Sequence, residues 1–292
     1  MTKRRDFIKG ISMTPVAMAL ASDSLFALTK KRAKMKLGFV TYLWGKDWDL
    51  PTIIENCEKT GIYGVELRTQ HKHGVEPSLN AAQRKEVKTR FAASRVKLLG
   101  YGSNVEFDSP DPAILKKNMD EAKALVHLSH DVGGTGVKVK PNQFHEGVPQ
   151  EKTLEQIGKS LNELGAYAKD YGQQIRLEVH GRGTQELPNI RAILDVADNR
   201  NVAICWNCNP TDLNGQGFEY NFNLVKDRLG DTMHIHEMNV DTYPFQDLMN
   251  RLVDIDYAGW TLLECSSNPA DKVKAMTEQR ALWEKLVANA TK

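Results

Sequence analysis

Beyond its first 27 residues this 292-residue chain has no run of 18 uninterrupted apolar residues, the length at which a stretch begins to read as a membrane-spanning helix. The mature chain is therefore expected to be soluble, without a membrane anchor. Excess charge is almost absent too: 39 Lys and Arg stand against 37 Asp and Glu, a formal net charge of +2. Residues 1–27 hold Lys3, Arg4, Arg5 and Lys9 against Asp6 and Asp23, so they carry that surplus and the remainder is close to neutral. Nucleic-acid binders normally present a basic face, and nucleic acid is not an expected partner. Cysteine is sparse, with four residues, too few in a chain of this length to make a disulfide scaffold. Cys205 and Cys208 have the CxxC spacing of a redox motif, but that motif opens a helix in thioredoxin-like proteins, whereas this pair lies on and just past an apolar run. No GxGxxG follows the first strand-like segment, which ends in Tyr42-Leu-Trp-Gly45; this weighs against an open dinucleotide-binding sheet. Nor is there a cluster of Arg and Lys with Gly-rich backbone of the kind that cradles phosphate.

What the chain does have begins with a basic N-terminus, MTKRRDFIKG, followed by the apolar ISMTPVAMALA. That stretch is too short to span a bilayer comfortably and reads as a targeting segment. RRDFIK resembles a twin-arginine export signal, a receptor-read address and not an anchor. Cleavage is expected near Ala21 or Ala27, with delivery to the periplasm. Residues 1–27 are thus set apart as an export signal peptide and residues 28–292 as one catalytic domain, since no Pro/Gly/Ser-rich linker divides them.

The rest alternates short β-rich runs with longer amphipathic ones. Strands are expected at Lys36–Tyr42, Tyr63–Arg68, Val96–Tyr101, Gly136–Lys140, Gln174–Val179, Val202–Trp206, Met233–Glu237 and Trp260–Glu264. Apolar residues recurring at three and four mark helices over Ala81–Ser94, Pro112–Val132, Gln150–Tyr171, Pro188–Ala197, Pro244–Val253 and Ala270–Ala290. Strands separated by helices pair in parallel through right-handed crossovers, and eight such units predict a closed (β/α)8 TIM barrel.

Four residues able to bind a metal recur almost periodically. Glu178, Asn207, His236 and Glu264 are spaced by 29, 29 and 28 residues, near the period of about 31 residues of a barrel of about 250 residues in eight units. Each closes an apolar run (QIRLEV, NVAICW, TMHIH, GWTLLE), which puts all four at the C-terminal face where such barrels keep their active sites. Two glutamates buried there without counter-charge would cost several kcal/mol each. One divalent ion offsets that penalty, the side-chain charge of −2 meeting +2.

The motifs that carry these residues are Leu-Glu178-Val-His180-Gly, Cys-Trp206-Asn207-Cys-Asn209-Pro, His234-Ile-His236-Glu and Leu-Leu-Glu264, with Val65-Glu66-Leu-Arg68 and Thr69-Gln-His71-Lys-His73-Gly upstream. In this order, over residues 36 to 285, they resemble the xylose isomerase-like TIM-barrel superfamily of sugar isomerases and epimerases, which includes apurinic endonucleases and keto-glycoside lyases. The resemblance implies one metal held by Glu178, Asn207, His236 and Glu264. It also implies that Glu178 and Glu264 act as base and acid. Where the epimerases have Asp, this chain has Asn207, a neutral donor that lowers the ligand charge and leaves a more electrophilic, more weakly held ion. His180 or His145 is the alternative ligand. The oxygen-rich set suits Mn, Co or Mg, with Zn also compatible.

The chemistry expected is removal of a proton beside a sugar carbonyl, as in a sugar isomerase or epimerase. β-Elimination from a 3-keto-glycoside, by a lyase, starts from the same deprotonation. A non-catalytic carbohydrate-binding barrel is the third reading, kept by Asn207. An endonuclease is disfavoured by the near-neutral charge. His71, His73, Lys140, His180 and Asn209 are candidate substrate contacts, with weaker signals from Arg182 and Tyr243. Lys138 and Lys140 alternate on the fourth strand and so share a face. The expected partner is a small sugar or glycoside, and an oligomer is compatible with the sequence.

Overall fold

Eight parallel strands alternate with eight α-helices in the computed structural model, which describes residues 32–291. The anticipated export segment, residues 1–27, lies outside the described residues. The elements run β1 (Lys36–Val40), α1 (Leu50–Thr60), β2 (Gly64–Arg68), α2 (Ala81–Ala92), β3 (Lys97–Glu106), α3 (Pro112–Val132), β4 (Gly136–Lys140) and α4 (Gln150–Lys169). They continue with β5 (Gln174–Glu178), α5 (Leu187–Val196), β6 (Val202–Cys205), α6 (Phe218–Val225), β7 (Thr232–Ile235), α7 (Phe245–Asp254), β8 (Trp260–Leu263) and α8 (Lys272–Ala290). Seven parallel ladders join the strands in the order β6-β5-β4-β3-β2-β1-β8-β7. The two ends of that order meet through Gly230 N donating to Ile204 O (2.8 Å) and His234 N donating to Trp206 O (2.7 Å), which nearly closes the sheet. The expected (β/α)8 TIM barrel is the fold.

Local chemistry explains the element boundaries. Asp49 caps α1 by accepting from Thr52 N, Pro51 sits in the first turn, and Gly61 ends the helix at φ 68°. Asp111, Pro112 and Gly133 do the same for α3. Neither α1 nor α6 is among the stretches read from the sequence; α6 has only eight residues, too few for a helical period to declare itself. β3 outruns its expected end at Tyr101 because it carries an irregularity. Its register against β2 shifts between Val65 and Glu66, so Glu66 pairs with Gly100 and Arg68 with Gly102. The shift passes through Gly100 at φ 129°, where a Cβ would sit 2.0 Å from Gly136 O; glycine alone fits.

Alternation along the strands decides what faces the lumen. Odd positions such as Phe39, Val65, Leu67, Val137, Val139, Ile175, Leu177, Met233, Ile235 and Leu263 join the large apolar core shared with the helices. On these strands the even positions turn inward, whereas on β6 the even Val202 and Ile204 join the core. Val40 and Leu262 meet Leu99 in a small apolar cluster of their own, while Glu66, Lys138, Arg176, Glu178 and His234 are buried polar groups. Arg176 is satisfied by Leu99 O, Thr135 Oγ1 and Gln174 Oε1. The other four converge higher in the barrel. Among the described residues no helix is long and apolar enough to cross a membrane.

Candidate active site at the C-terminal end of the barrel

Glu178, His234 and Glu264 come from β5, β7 and the end of β8, and one ligand atom from each lies within 4.8 Å of the others. His234 Nδ1 is 3.0 Å from Glu264 Oε2 and 3.3 Å from Glu178 Oε1, and its Nε2 is 3.0 Å from Glu66 Oε1 on β2. Lys138 on β4 reaches Glu178 Oε2 at 2.5 Å and donates to Ser103 O at 3.2 Å. All these side chains are buried. Charges this deep are tolerable only when paired and hydrogen-bonded, and here three carboxylates interleave with one ammonium and one imidazole.

The pairing fixes the protonation states. Burial would raise the Glu178 carboxyl, but the Lys138 ammonium and the His234 ring outweigh it and hold the group well below the usual carboxylate range. Glu264 likewise is pushed up by burial and brought below its ordinary value by His234. Burial opposes protonation of His234, yet the Cys205 sulfur, Glu264 and Glu66 raise its pKa well above that of a free imidazole. Both glutamates are therefore ionised at neutral pH.

The donor set suits a divalent ion. An ion would have to displace the Nδ1 proton of His234 while Nε2–H stays on Glu66, the arrangement by which a carboxylate commonly orients a metal-binding histidine. Glu178, His234 and Glu264 could hold the ion between them. The Oδ1 of Asn207 is buried with no hydrogen-bond partner among the described residues, and Asn207 borders the same pocket, as a further neutral oxygen donor would. His236 also borders it, but its Nε2 lies 2.7 Å from Asn207 O and its Nδ1 3.2 Å from Glu264 O. The histidine placed among the two glutamates is thus His234, two residues earlier on the same strand face.

The pocket above this cluster has a volume of about 340 Å³. Lys140, His180 and Asn209 line it, as expected of substrate contacts, together with Arg68, Tyr42 and Gln185, which carried no such expectation. His180 Nδ1 is buried without a hydrogen-bond partner among the described residues, and burial depresses its pKa. Asn209 donates to Val179 O and accepts from Asn207 Nδ2. His73 does not face the pocket: its ring bonds Arg68 O and Val75 N, and burial lowers its pKa to about 4. Half-buried His71 packs edge-on against it at 6.2 Å. His145 pairs with Asp108 at 2.8 Å, Arg182 is exposed, and Tyr243 is buried between Trp206 and Asp212. Cys205 and Cys208 are buried free thiols, and burial raises both pKa values, contrary to what thiolate redox chemistry needs. A larger cavity of about 720 Å³ opens beside Lys36, Lys97, Asp231 and Trp260, at the strand N-termini and away from the carboxylates.

Lys138, His234, Glu66 and Arg68 are the residues that the sequence did not mark for roles. The available signal was alternation: Glu66 with Arg68, Lys138 with Lys140, and His234 with His236 share a face by their two-residue spacing.

Comparison with known proteins agrees with this architecture. Among curated proteins no sequence matches the chain. A 3-keto-D-glucoside 4-epimerase from E. coli superposes with a TM-score of 0.73 at 16% identity, over 86% of this chain and 100% of that one. A D-psicose 3-epimerase from Clostridium cellulolyticum H10, solved with D-tagatose, gives 0.74 at 17%, over 87% and 99%. The IOLI protein with a binding zinc atom gives 0.75 at 17%, over 88% and 99%. At these identities the likeness establishes the fold. The sequence profile described as xylose isomerase-like TIM barrel matches residues 54–286, and the chain belongs to that family.

Proposed function

We propose that this protein is a divalent-metal-dependent carbohydrate enzyme that removes a proton next to a sugar carbonyl, of the isomerase or epimerase type. The observation that carries the reading is the meeting of Glu178, His234 and Glu264 within 4.8 Å beneath a pocket of monosaccharide size. When bound there, the ion supplies Lewis-acid polarisation of the carbonyl.

The chain's own residues supply the rest. Glu178 has one oxygen on Lys138 and the other facing His234, so it is a fixed anion. Glu264 spends Oε2 on His234 and is the less confined of the two, both of which border the pocket. It is the better placed base, with Glu178 opposite it as the second candidate. His180, Lys140 and Asn209 contact sugar oxygens from the rim. Reprotonation of the same carbon completes an isomerisation or epimerisation. The likeness to a 3-keto-D-glucoside 4-epimerase brings 3-keto-glycosides in as candidate substrates, on which the second reading is a lyase that expels a β-positioned alkoxide after the same deprotonation.

Incubating Mn-, Co-, Mg- and Zn-loaded protein in deuterated water with free ketoses and with 3-keto-glycosides separates these readings. Deuterium at the carbon beside the carbonyl without aglycone release is the expected result. Aglycone release selects the lyase, and binding with neither outcome leaves a carbohydrate-binding barrel. The Arg4-Arg5 pair and the apolar run behind it support export to the periplasm; an Arg4→Lys/Arg5→Lys chain should then accumulate in the cytoplasmic fraction.

A further inference from the structure

The charges around the pocket do not all cancel. Glu178 is matched by Lys138 at 2.5 Å, and Lys140 leans on Glu106 at 3.4 Å. Arg68 forms no ion pair among the described residues. Its guanidinium is held over the Tyr42 ring at 5.6 Å, and Nη2 donates to Asn104 Oδ1 at 2.9 Å. A guanidinium has five N–H donors in a planar fork, so most of them stay available at the pocket wall that Arg68 forms. The backbone is built to leave it room. Arg68 N is tied to Thr41 Oγ1 at 2.9 Å, and Gly102 lies opposite on β3, where a Cβ would come within 2.8 Å of Arg68 Cδ and 2.6 Å of Glu66 Oε1. An unmatched arginine, stacked and pre-oriented, is the group suited to a planar two-oxygen anion. Lys140 on the same rim adds a second, loosely committed cation, and the volume of about 340 Å³ is at the small end of the roughly 300–1,000 Å³ range of ligand sites.

We infer that the substrate is an acidic monosaccharide whose carboxylate is held by Arg68, assisted by Lys140. The inference rests on the carbohydrate reading above and narrows its substrate class to sugar acids. One fork and one ammonium match the two oxygens of a carboxylate better than the three of a phosphate.

Calorimetry on the full-length, Mn-loaded protein with matched probes tests it: D-fructuronate against D-fructose, D-glucuronate against D-glucose, and D-glucose 6-phosphate as the competing anion. At least one acid should bind about tenfold or more tightly than its neutral partner, the effect of one charge-assisted contact. Arg68→Gln should abolish that preference, weakening the acid at least about tenfold more than its neutral partner. Arg68→Lys, which keeps the charge and loses the fork, should restore only part of it, and unchanged circular dichroism shows that both variants fold. No preference for either acid, a preference that survives in Arg68→Gln, or tighter binding of the 6-phosphate than of the acids would overturn the inference. Solvent-deuterium exchange is read separately. An acid preference without exchange upholds the carboxylate site and removes the proton-abstraction reading, whereas exchange without acid preference does the reverse.

Discussion

At the scale of single residues, Lys138 sets the character of the site, because its ammonium pairs with Glu178 and leaves Glu264 the less confined glutamate. Lys138→Met removes the ammonium from a buried carboxylate, a change that typically costs 3–5 kcal/mol. The metal-free variant should therefore melt well below the parent, and Mn should return part of the difference by replacing the lost charge; equal melting with and without Lys138 would contradict the pairing. Glu178→Gln and Glu264→Gln keep the shape but remove the anion. Each should lower turnover at least about 100-fold, the low end of general acid–base contributions. Deuterium incorporation should vanish in the variant that lacks the base, Glu264→Gln on the present geometry. Wild-type exchange in both variants would pass the role to Lys140 or a histidine. Asn207→Asp places a charge where a buried, unpartnered Oδ1 now points. It should tighten metal binding and slow turnover, read by equilibrium dialysis and initial rates; unchanged metal affinity would move Asn207 away from the ion.

At the scale of elements, β3 is the strand on which the site depends without supplying a carboxylate to it. Its register shift at Gly100 lets Gly102 face Glu66 and Arg68 and brings Ser103 to Lys138, where each accepts from the other's side chain at the main-chain oxygen. Gly100→Ala would force a Cβ to within 2.0 Å of Gly136 O at φ 129°. It should lower stability by on the order of 2–3 kcal/mol, and denaturant unfolding would show it as an earlier midpoint. An unperturbed midpoint would mean that β3 and β4 can separate freely. The strands themselves were legible in the sequence, since β4 and the starts of β1, β5, β6 and β8 fall where the apolar runs place them. The shift in β3 was not, because one extra residue leaves the apolar pattern intact and shows only in the pairing.

At the scale of the whole molecule, a buried acid outside the reaction should govern the pH dependence of stability. Asp212 is fully buried, accepts from Tyr243 OH at 2.7 Å and leaves Oδ1 without a hydrogen-bond partner among the described residues. Burial lifts its pKa from 3.8 to about 7. The folded state thus holds a proton that the unfolded chain releases, so this group's contribution declines as pH rises from about 4 and levels off above about 7. At about 1.4 kcal/mol per pH unit the penalty at pH 8 is on the order of 4 kcal/mol. Asp212→Asn should accordingly raise the melting temperature at pH 8, with little effect at pH 4. Glu178 works in the opposite sense. Its depressed pKa gives stability that is present above the unfolded carboxylate value and lost as pH falls through the folded one.

By itself the sequence determined the barrel and the face that bears the site. Eight apolar runs alternating with amphipathic ones allow few other closed arrangements, and Glu178, Asn207, His236 and Glu264 sit at or just beyond the ends of those runs. Only the tertiary structure decided which side chains meet. His234 and not His236 lies between the two glutamates, Lys138 neutralises one of them, and Arg68 stands at the rim with no ion pair among the described residues. These outcomes depend on strand stagger and barrel radius, which set how far up the lumen each inward residue reaches. Period-two alternation gives a side chain its face, but not its height or its partners across the barrel.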